Sequence, residues 1–110
     1  MGIYYLSYKV VPSKGNEHAE TVASANAHIW VLDSDIDNVV HRAERYLSEY
    51  MWNVTSVREA PRLVTESDFA TKDLGLLNYR KAQKYGIAVF FSGWAKDGQL
   101  GSDEQLFVKL

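Results

Sequence analysis

With 110 residues, 46% hydrophobic and 24% charged, the chain has ordinary globular composition and length for one core, so a single domain over 1–110 is expected. Fourteen acidic against twelve basic residues leave a net charge of −2, a balance that gives no reason to expect nucleic acid as a partner. The absence of cysteine excludes disulfides, thiolate metal sites, iron–sulfur clusters and cysteine nucleophiles; no apolar run approaches the ~20 residues that span a bilayer, and MGIYYLSYKVVP lacks the features of a signal peptide, so a soluble cytoplasmic protein without a membrane partner is the expectation.

In chain order, IYYLSYKVV (3–11) is rich in aromatic and β-branched residues and stops at Pro12, which predicts a strand. Tyr4, Leu6, Tyr8 and Val10 share one face; Ile3, Tyr5, Ser7, Lys9 and Val11 share the other. The polar, glycine-containing SKGNEHAE (13–20) reads as a loop without evident order. ASANAHIWVLD (23–33) predicts a second strand, antiparallel to the first. From Ser34 the period changes: Ile36, Val39, Val40, Ala43, Leu47, Tyr50 and Met51 form a helical stripe, with Arg42, Arg45, Ser48 and Glu49 on the opposite side.

WNVTSVREAPRLVT (52–65) returns to alternation, with a bulge expected near Ser56 and Pro61 marking an edge or an end. A weaker helical stripe runs through 66–86 (Leu74, Leu77, Asn78, Lys81, Ala82, Tyr85), with Gly75 dividing it and Gly86 suited to the position just past its end. IAVFFSGW (87–94) is apolar on both faces, as in an interior strand. Asp97-Gly98 suits a two-residue hairpin turn, and QLFVKL (105–110) can add a strand. The order β-β-α-β-α-β predicts an α+β two-layer sandwich. Its mixed or antiparallel sheet of four to five strands carries two helices on one face, with ferredoxin-like layering.

Three carboxylates alternate in WVLDSDIDNVVHRAE (30–44). Read as an EF-hand loop, Asp33, Asp35, Asp37 and Glu44 fall on calcium-ligand positions with the Val39 carbonyl between them. However, Asn38 occupies the glycine position, and the helical period already runs through the same residues. An apolar strand followed by Asp-x-Asp also resembles motif one of the haloacid dehalogenase-like hydrolases, which implies Asp33 as nucleophile and Asp35 as acid/base. That motif works with a downstream lysine and a second acidic pair, in a larger doubly wound fold than this chain can build. The third reading needs no ligand: Ser34 or Asp35 caps the helix, and the remaining acids complement the positive end of its dipole. Capping is the expectation taken here, with no metal and no cofactor.

Among the histidines, His41 lies away from the apolar stripe and His18 sits in the loop beside Glu17 and Glu20. His28 shares a strand face with Trp30 and is the candidate acid/base or ligand contact. KYGIAVFF (84–91) resembles the RNP1 pattern of RNA-recognition domains, yet Ile87 and Val89 replace the aromatics on which bases would stack. RKAQK (80–84) reads as a solvated helix face.

The strands carry apolar residues on both sides. Helices confined to one side leave the other uncovered, with Tyr4, Tyr8, His28, Trp30, Phe90 and Trp94 as binding or interface candidates. Two function classes follow. The expected one is a non-catalytic binding or interaction module that self-associates through the aromatic sheet face. Its partner is a second copy, with another protein or a small apolar ligand as substitutes. The alternative is a small dimeric enzyme with an apolar pocket, using His28 as acid/base on an organic substrate. A pocket between sheet and helices, with His28 inside and an acid nearby, favours the enzyme; a flat aromatic face favours the module.

Overall fold

The structure, a computed structural model, describes residues 1–69, 73–95 and 105–108. Along these, β1 (Gly2–Pro12) and β2 (Val22–Asp33) are followed by α1 (Ile36–Glu49) and β3 (Trp52–Val64). A 3-10 turn (Glu66–Phe69) leads to α2 (Asp73–Tyr85), then β4 (Ile87–Ala95) and β5 (Gln105–Val108). All pairings are antiparallel and the sheet order is β3-β1-β2-β4-β5. The α+β class, the antiparallel sheet and the element order are as expected, and the strand read from the tail lies beside β4. This strand order does not by itself establish the ferredoxin-like arrangement. The Asp97-Gly98 turn lies outside the described residues.

Cross-strand register fixes the two faces of the sheet. Leu6, Ile29 and Val89 are neighbours on one; Tyr5, Trp30 and Ala88 are neighbours on the other. Val39, Ala43 and Leu47 of α1 join the first set in one core, whereas Tyr79 and Ala82 of α2 join the second, with Phe69 of the 3-10 turn. The two helices therefore pack on opposite faces, which corrects the expectation that both share one. The reason is physical: each face carries apolar side chains that need cover. The chain supplies it by crossing the sheet twice, from β2 to β3 on one side and from β3 to β4 on the other.

Local chemistry holds each crossover. Asp35 caps α1, its Oδ1 accepting the Asp37 N–H at 2.9 Å. Asp33 accepts the Ser34 and Asp35 N–H groups at 2.7 and 3.1 Å. Arg42, read from periodicity as a solvent-side residue, instead ties three elements together. Its Nη1 donates to the Leu32 carbonyl at 2.7 Å and to Asp33 Oδ2 at 3.2 Å, and its Nη2 donates to the Gly86 carbonyl at 3.1 Å. Gly86 closes α2 with φ +90°, a conformation that suits glycine. The 13–20 loop is also ordered: Asn16 is buried and donates to the carbonyls of Tyr50 and Met51 at 3.3 and 2.8 Å. In this way it clamps the loop to the end of α1. β3 is an edge strand whose register shifts at three places, including the expected one near Ser56.

Candidate functional site

The second face of the sheet is laid out in rows by strand register. Tyr5, Trp30 and Ala88 form one row; Ser7, His28 and Phe90 the next; Lys9, Asn26 and Ser92 the third. The core shared with α2 and Phe69 includes the first row. The second row opens on a cleft of about 540 Å³, lined by Tyr5, His28, Trp30, Phe69, Leu74, Gly75 and Phe90. The 3-10 turn supplies Phe69, whose ring lies 5.8 Å from that of Tyr5 and 5.7 Å from that of Trp30. Gly75, expected to divide a helix, instead lies within the first turns of α2. A Cβ there would stand 2.7 Å from Phe69 Cδ1, so the glycine lets the helix approach the ring.

The polar groups of the cleft form a short chain. Tyr5 Oη and His28 Nδ1 are 2.8 Å apart, and His28 Nε2 lies 3.4 Å from Ser92 Oγ. Burial, and then the charge of Arg58, pull the His28 pKa below its ordinary value, against the opposing pull of Glu59. The imidazole is therefore neutral near pH 7. Burial first, and Glu59 second, hold the Tyr5 hydroxyl far above the ordinary phenol range, so it serves as a neutral hydrogen-bonding group. Arg62 sits over the Tyr5 ring, with Cζ 5.4 Å from the centroid.

Two tautomers satisfy this chain. With Nδ1 accepting from Tyr5, Nε2 carries a hydrogen that the cleft can offer to a ligand oxygen. With Nδ1–H donating to the Tyr5 oxygen, Nε2 presents a lone pair able to take a proton. Trp30, 3% exposed, also lines the cleft, and its Nε1–H finds no acceptor among the described residues. An unmatched buried donor costs about 1–3 kcal/mol.

The six residues singled out from the sequence do not form one surface. His28, Trp30 and Phe90 meet in the cleft. Trp94 lies further along the same face, lining a second cavity. Tyr4 and Tyr8 belong to the α1 core on the opposite face, where the Tyr8 hydroxyl donates to Glu44 at 3.2 Å. Burial and the Glu44 charge push the Tyr8 pKa up to about 12. Tyr5, Ser7, Arg58 and Glu59 are site residues that no sequence pattern marks. Tyr5 and Ser7 do share the strand face that would pair with His28, but the β3 residues reach it through an irregular register.

Asp33, Asp35 and Asp37 are gathered at the start of α1, where Asp33 and Asp35 engage backbone N–H groups and Arg42, while Glu44 faces Tyr8. Among the described residues no three His, Asp or Glu side chains come together to hold a metal ion, and no helix is long and apolar enough to cross a membrane. Comparison of the chain with known proteins gives no matching family model, no matching curated protein and no matching solved structure.

Proposed function

We propose that this chain binds a small organic molecule in the cleft between α2 and the sheet, and that His28 exchanges a proton with it as acid/base. The observation that carries this reading is a neutral, half-buried imidazole, hydrogen-bonded to Tyr5 at 2.8 Å, in the wall of an aromatic cavity. A mainly apolar cavity of a few hundred Å³ with a few convergent polar groups is the usual form of a small-molecule site. A neutral imidazole set in it has the proton chemistry that general acid–base catalysis uses. Glu59, which pairs with Ser7 in the row of His28, is an acid near the cleft and supports this reading over a purely adhesive face.

Protein-observed NMR with a set of uncharged aromatic fragments tests the reading. Shift changes should concentrate on Tyr5, His28, Trp30, Phe69 and Phe90, and Phe90→Ala should weaken binding several-fold. Perturbations confined to other surfaces, or none at millimolar fragment, would overturn it.

Self-association is a second reading, and one observation favours it at a different place. On the edge strand β3, Val54, Val57 and Leu63 are exposed, Val57 by 61% and Leu63 by 62%. An unpaired strand edge flanked by apolar side chains invites a second copy. Light scattering across concentrations should then show a dimer that Val57→Lys disrupts; a monomer at every concentration removes this reading.

A further inference from the structure

We infer that the ligand of this cleft is a flat apolar acid, its ring seated among Tyr5, Trp30 and Phe90 and its carboxylate held by Arg58 and Lys9. The inference rests on the cleft being a ligand site, and it adds the ligand's charge.

Continuity is the first ground. A second cavity, of about 490 Å³ and lined by Lys9, Ser24, Asn26, Arg58 and Trp94, follows the first along the same sheet face. Asn26 lies two residues from His28 on β2, and Lys9 lies two residues from Ser7 on β1. At about 3.3 Å per residue, the second cavity begins roughly 7 Å beyond the imidazole. A bicyclic ring bearing a carboxylate spans that distance.

Charge is the second ground. Among the described residues, Lys9 and Arg58 line the second cavity and Arg62 sits over the Tyr5 ring, while Glu59 is the carboxylate that pairs across to Ser7. Glu59 pairs with Arg62 at 4.0 Å. Among the described residues neither Arg58 nor Lys9 pairs with a carboxylate. The chain as a whole is negative, at −2, whereas the described side chains around this cavity include more cations than carboxylates. Arg58 is also positioned: its Nη1 donates to Ser7 Oγ at 3.0 Å, which anchors one arm of the guanidinium over the row of His28. The remaining N–H groups of the fork suit a carboxylate, which arginine binds in two-point fashion. A neutral apolar ligand would fill the first cavity and leave these cations unmatched.

Titration of the full chain with 2-naphthoate and with 2-naphthylmethanol, its uncharged analogue, decides the matter. The carboxylate should bind about tenfold more tightly or better, with an advantage that shrinks as salt is raised. Arg58→Gln should weaken naphthoate about tenfold and leave the alcohol unchanged; because Arg58 is exposed, the variant should fold normally. Bound naphthoate should also raise the NMR-measured pKa of His28 by offsetting the guanidinium charge. Equal binding of acid and alcohol, or an Arg58→Gln variant that treats them as the native chain does, overturns the inference while leaving the cleft a ligand site. Failure of both molecules to bind overturns the inference and the cleft reading together.

Discussion

At the scale of single residues, His28 shows how burial turns an ordinary side chain into a pH-sensitive one. Its folded-state pKa lies below the ordinary imidazole value of 6.5, so the unfolded chain binds this proton more readily than the folded one. The stability contribution is complete above pH 6.5 and is lost as pH falls from there through the folded pKa. Urea midpoints measured from pH 8 downward should therefore drop more steeply in the native chain than in His28→Gln; parallel curves would show that the imidazole is not held neutral by its surroundings. His28 was legible from sequence as a site candidate because it stands among apolar residues on a strand. Its partner was not. Tyr5 meets it through the diagonal of the β1–β2 register, since Tyr5 faces Trp30 and Ser7 faces His28, and no one-dimensional pattern displays a diagonal.

At the scale of elements, α1 follows its sequence closely. Alternating acids before a 3.6-residue apolar stripe mark a capped helix start, and Asp35 fills the cap. Asp35→Ala should cost about 0.5–2 kcal/mol, measured by denaturant unfolding, through loss of the bond to the Asp37 N–H. An unchanged midpoint would mean that Asp33 alone organises the entry. Arg42 shows the limit of helical periodicity. Its long side chain leaves the polar side of the stripe and reaches back to Leu32 and Gly86, a contact set by where β4 begins rather than by position on the helix. The second helical stretch was read as one interrupted pattern. It resolves into a 3-10 turn, whose Phe69 ring packs 5.7 Å from that of Trp30, and α2.

At the scale of the whole molecule, the decisive feature is the division of the two helices between the faces of one sheet. Under α1 the face is closed: Val39, Ala43 and Leu47 are inaccessible to solvent and pack with Leu6, Ile29, Val31 and Phe91. Leu47→Ala should cost about 2–5 kcal/mol in an urea titration, because the void cannot be filled by a sheet on one side and a helix backbone on the other. A loss under 1 kcal/mol would show that this core repacks freely. On the opposite face, Tyr79 and Ala82 of α2 and Phe69 pack over the Tyr5–Trp30–Ala88 row, and the cleft lies between that cover and His28 and Phe90 of the next row.

The sequence by itself determined the class of fold, the order of elements, the interior character of β4, the capped start of α1 and the interest of His28. Each of these depends on local periodicity or on the chemistry of neighbouring residues. Only the tertiary structure decided the faces on which the helices lie, and with them the union of Tyr5, His28, Arg58 and Glu59 beside an aromatic cleft. Helix placement is set by which way a connection crosses the sheet. When both faces of the strands are apolar, the hydrophobic pattern permits either side, and the choice is made by packing between residues far apart in the chain.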